Sequence, residues 1–77
     1  MDYYYYRLLV QTKITGANIH EVNGYLGLVL NSLSLMNQTE EDDDIYKRSK
    51  STLIKAVDNI IKATGVYVDP LSLKYEK

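Results

Sequence analysis

Two stretches of helical apolar spacing, separated by five consecutive carboxylates, constrain this chain more than any other feature. From Ile45 to Thr64, Tyr46, Leu53, Ile54, Val57, Ile60 and Ile61 fall on one side, with Lys47, Arg48, Ser51, Lys55, Asp58, Asn59 and Lys62 on the other. Both ends of that helix are signalled. Acidic residues precede it, Lys62 stands in its last turn, and Gly65 occupies the position where a left-handed residue closes a helix. The run Glu40-Glu41-Asp42-Asp43-Asp44 reads as the connector from an earlier helix.

That earlier helix is expected from Ile19 to about Asn37. Asn18 with Glu21 three residues later has the form of an N-cap and its capping-box partner, after a turn at Thr15-Gly16-Ala17. At about 100° per residue, Ile19, Val22, Tyr25, Leu26, Val29, Leu30, Leu33 and Met36 share roughly 140° of arc, a core stripe. Opposite them, His20, Gly24, Gly27, Asn31 and Ser34 make a strip of small or polar groups flanked by Leu28 and Leu35. A glycine inside a helix costs about 0.5–1 kcal/mol relative to alanine, so close approach of another backbone, or of a flat ligand, is expected to offset it.

The flanks of the two helices read as strands. Tyr4, Tyr6, Leu8, Val10, Thr12 and Ile14, the expected core face, alternate with Tyr3, Tyr5, Arg7, Leu9, Gln11 and Lys13. After Gly65, Val66-Tyr67-Val68 is followed by a bend or edge position at Pro70, and then Leu71, Leu73 and Tyr75 alternate with Ser72, Lys74 and Glu76. The expected fold is therefore α+β: a single β-α-α-β domain over residues 1–77, with two antiparallel strands and the helical hairpin on one face. Two strands make a poor sheet, so completion by homodimerisation follows.

Composition supports one folded domain. The chain has 77 residues, of which 45% are hydrophobic and 25% charged, within the ordinary globular range. It has no cysteine, which removes disulfides, thiol nucleophiles and Cys-based metal sites and leaves a reducing cytoplasm as the expected location. Its formal charge of -1 gives no overall field for nucleic acid or anionic lipid. No apolar run approaches the roughly 20 residues of a membrane span, and no secretory leader is expected.

No catalytic or cofactor motif stands out. His20 is the only histidine and has no ligand-type partner at helical spacing. The acidic run lacks the alternating ligands and mid-loop glycine of an EF-hand, and reads as a solvated, helix-capping connector. Lys47, Arg48, Lys55 and Lys62, on the solvent face of the second helix, form a possible anion-binding stripe, but one without any nucleic-acid-reading motif. All eight aromatic residues are tyrosines, a residue suited to surfaces that are both wet and adhesive. Tyr3, Tyr5, Leu9, His20, Gly24, Gly27 and Asn31 are accordingly the expected interface or ligand-binding residues, with no metal and no cofactor. The expected function is a small non-enzymatic cytoplasmic protein-interaction module, an oligomeric adaptor or an inhibitor that blocks a partner protein's surface. A homodimer sequestering a small polar ligand such as a nucleotide is the alternative, and nucleic-acid binding through the second helix a weaker one.

Overall fold

A computed structural model, described for residues 1–75, is all-helical: α1 (Tyr3–Gln11), α2 (Ile19–Gln38) and α3 (Asp44–Thr64), followed by a single 3₁₀ turn at Pro70–Ser72. The hairpin of long helices is as the spacing predicts. Asn18 Nδ2 donates to the Ala63 carbonyl at 3.3 Å, which ties the start of α2 to the end of α3 and fixes them antiparallel. Gly65 closes α3 at φ 74°, its N–H donating to the Ile61 carbonyl at 2.7 Å. The acidic run contributes a true cap, because the Asp43 carboxylate accepts from the Ile45 N–H at 2.7 Å.

The expected strands and the α+β class are overturned. Residues 3–11 are helical because Tyr3, Tyr6 and Val10 recur at helical spacing, and in that conformation all three enter the core. Nearly every residue of Tyr-Tyr-Tyr-Tyr-Arg-Leu-Leu-Val is apolar or long, so the segment satisfies a period of 2 and a period of 3.6 alike. Docking on α2 decides between them: the buried Tyr3 hydroxyl donates to the Leu26 carbonyl at 3.0 Å. After Gly65 the tail is extended but pairs with no strand. Val68 and Leu73 turn inward, Asp69 caps the 3₁₀ turn by accepting from Leu71 N–H at 3.1 Å, and Glu76, the last residue of the expected strand, lies outside the described residues.

The two flanks still meet, in a different way. The Met1 amine donates to the Ser72 carbonyl at 2.8 Å, Lys74 N–H to the Met1 carbonyl at 2.9 Å, and Tyr3 N–H to the Lys74 carbonyl at 2.8 Å. This is one parallel bridge between Asp2 and Lys74, not an antiparallel sheet. With the sheet goes the reason for completing it with a second copy.

One core joins all the elements. Tyr3, Tyr6 and Val10 from α1, Val22, Leu26, Val29 and Leu33 from α2, Leu53, Ala56, Val57 and Ile60 from α3, and Val68 and Leu73 from the tail are buried together. Ile19 and Ile54, expected in the core, sit at its margin and are exposed. The capping box is also absent. Asn18 does precede α2, but its Oδ1 accepts from Thr15 N–H at 2.9 Å, while Glu21 accepts from the Tyr25 hydroxyl at 3.3 Å.

Candidate binding surfaces

The tyrosine-rich segment presents a surface, though with a different membership from the one expected. Tyr3 is core, 2% exposed, and cannot belong to an interface of the folded chain. Tyr5 is 55% exposed and Leu9 half-buried, and beside them the helix turns out Leu8, 60% exposed, and Tyr4. Strand alternation assigns Tyr4 and Leu8 to the core face; helical rotation brings them next to Tyr5. The side of α1 opposite its buried stripe is therefore apolar and aromatic. Tyr4 is held in place by an edge contact with Tyr3 at 5.4 Å between ring centroids, a tilted contact with Tyr75 at 6.0 Å, and the Arg7 guanidinium 5.7 Å from its centroid.

The strip on α2 separates into unlike parts. His20, Gly24 and Gly27 are exposed, and a Cβ added at either glycine would meet no neighbouring heavy atom within 4 Å. The glycines therefore allow no close approach within this chain. Asn31, by contrast, lines a cleft of about 310 Å³ between the two long helices. Asn31, Ser32 and Leu35 from α2 face Ile45, Arg48, Ser49 and Thr52 from α3 across it. Asn31 and Leu35 lie about 140° and 180° around α2 from the buried Leu26.

Arg48, expected in an anion-binding stripe, thus joins Asn31, expected in a ligand site. The other members of the stripe do not converge. Lys47 and Lys55 are exposed and outside the cleft, and Lys62 is answered by Asp58 at 2.8 Å, whose hydrogen bond and charge hold the ammonium pKa above its ordinary value. Arg48 makes no ion pair among the described residues. Ser32 and Ser49 were absent from the sequence expectations because serine on the inner arc of a helix carries no signal of its own. They are 3% and 6% exposed and line the cleft. Thr52, which also lines the cleft, spends its proton on the Arg48 carbonyl at 3.0 Å.

A second cleft, of about 300 Å³, lies between Ser34, Asn37, Gln38 and Tyr75. Its polar groups answer one another: Asn37 Nδ2 donates to the Tyr75 carbonyl at 2.9 Å, and Gln38 Nε2 to Ser34 Oγ at 3.2 Å. It fastens the tail. Among the described residues no group of three or more His, Cys, Asp or Glu is arranged to hold a metal, and no helix is long and apolar enough to cross a membrane. Comparison with protein-family models, curated proteins and solved structures finds no match to this chain.

Proposed function

We propose that this chain is a small non-enzymatic, cytoplasmic protein-interaction module that binds another protein through the exposed side of α1. One observation carries the reading: Tyr5 and Leu8 are each more than half exposed on a helix whose other side is locked into the core by Tyr3, Tyr6 and Val10. A rigidly held patch of tyrosine and leucine loses little freedom on binding and offers both apolar area and hydroxyls, the chemistry of an interface centre. The cytoplasmic assignment rests on the cysteine-free composition.

His20 lies twelve residues, about 18 Å, along α2 from Ser32, too far to act as general base for it. A nucleotide clasped between two subunits receives less support, because Tyr3 is committed to the core. Nucleic-acid binding along α3 is weakened by the pairing of Lys62 with Asp58.

Site-specific photocrosslinking in the producing cell tests this reading. A benzophenone amino acid at position 5 should yield a discrete protein adduct that Leu8→Asp abolishes, while the same group at Asn23, on α2, yields none. Equal labelling from both positions would sink the assignment. An adduct of twice the chain's own mass would identify the partner as a second copy.

A further inference from the structure

The geometry points to a second site, independent of the α1 surface: the α2–α3 cleft is a pocket for a small monocarboxylate whose charged end meets Arg48 and whose apolar end lies against Leu35 and Ile45. Its volume of about 310 Å³ is at the lower end of small-molecule sites. The polar lining is mostly donors. Arg48 offers a planar guanidinium with no carboxylate partner among the described residues, and Asn31 Nδ2 and the hydroxyls of Ser32 and Ser49 add further donors. Among the described residues no acidic side chain lines the cleft. Arginine pairs with carboxylates in a bidentate, planar geometry, which suits a slot between two helices better than a lysine would.

Two features narrow the ligand. The exposed Ile45 and the half-buried Leu35 ask for a hydrocarbon or aromatic portion next to the charge. The acidic run ends at Asp44, immediately before Ile45, so multiply charged anions meet repulsion at that end of the cleft. That repulsion grows with the ligand's charge, so a phosphate dianion or a polyanion is disfavoured more than a singly charged carboxylate. Ser32 and Ser49 line the same cleft, where a serine hydroxyl can donate to a ligand oxygen.

Sodium benzoate, sodium acetate and inorganic phosphate, titrated at constant ionic strength into the ¹⁵N-labelled full chain, test this by chemical-shift perturbation. Benzoate should give saturable shifts confined to the amides around residues 31–35 and 45–52, with acetate and phosphate binding more weakly. Arg48→Gln should reduce benzoate affinity by at least about tenfold, as expected for a charge-assisted hydrogen bond, with an unchanged circular-dichroism spectrum because Arg48 is exposed. Ser49→Ala should weaken benzoate about two- to fivefold while leaving the melting temperature equal or higher, a combination that a purely structural serine would not produce. Lys55→Gln should leave the affinity within twofold. The proposal is overturned by non-saturable or dispersed shifts, by phosphate binding as tightly as benzoate, or by Ser49→Ala binding as wild type while Arg48→Gln and Lys55→Gln lose affinity equally. That last pattern would mean surface charge alone.

Discussion

Tyr6 is fully buried, and its hydroxyl has no hydrogen-bond partner among the described residues. An unmet buried hydroxyl costs on the order of 1–3 kcal/mol, whereas the ring fills core volume, so Tyr6→Phe should raise stability by about 1 kcal/mol, read as a higher urea midpoint at unchanged slope. Tyr3→Phe should go the other way by about 1 kcal/mol, because it removes the bond to the Leu26 carbonyl. Burial, and secondarily the nearby Tyr3, pushes the Tyr6 phenol up to about 12. In the unfolded chain it ionises near pH 10. The unfolded state therefore releases its proton first. The stability contributed by neutral Tyr6 is complete below about pH 10 and is lost as pH rises toward 12, and Tyr6→Phe should flatten that alkaline decline in a series of denaturant melts. At the end of α3, Gly65→Ala should cost about 1 kcal/mol, since φ is 74° there.

Among the elements, α3 was the most legible. Its period, its acidic start and its closing glycine agree, and the structure places its bounds within one residue of the expectation. In α2 the stripe was legible and the meaning of its glycines was not. Gly24 and Gly27 stand in open space, so Gly24→Ala should stabilise the helix by about 0.5–1 kcal/mol in thermal melts. A fall in stability would show that the glycine answers some contact. The failure at α1 has a definite physical cause. Tyrosine and valine favour strands, but intrinsic strand preference mostly measures packing context, and here the context is a groove that accepts Tyr3, Tyr6 and Val10 from a helix. That misreading also displaced the candidate surface. It put Leu8 and Tyr4 inside and Tyr3 outside, the reverse of what the helix does.

For the molecule as a whole, the hairpin alone does not complete the core. A chain of this length holds about 4–12 kcal/mol of stability, and α1 is too short to persist without tertiary contacts. The tail supplies part of what it needs: Leu73 and Val68 are buried, and residues 72–74 exchange hydrogen bonds with Met1 and Tyr3. Leu73→Ala should cost about 2–4 kcal/mol, a large share of the total. Hydrogen exchange should then show the amides of α1 and of the tail losing protection together, ahead of the α2–α3 hairpin. Loss of protection in all three helices at once would mean that the clasp is no separate unit.

Of the two candidate sites, Asn31 and Arg48 were each singled out by residue type, but their meeting depends on the register of α2 against α3. Sequence by itself determined the helical hairpin, its connector, the closing signals of α3 and most of the core stripe. Those follow from periodicity and terminal chemistry within about twenty residues of chain. Only the tertiary structure decided the conformation of residues 3–11, the clasp between residues 1–3 and 72–74, and which tyrosines face outward. The reason is that an ambiguous apolar segment takes its conformation from the surface it covers, and that surface is assembled from residues twenty to seventy positions away.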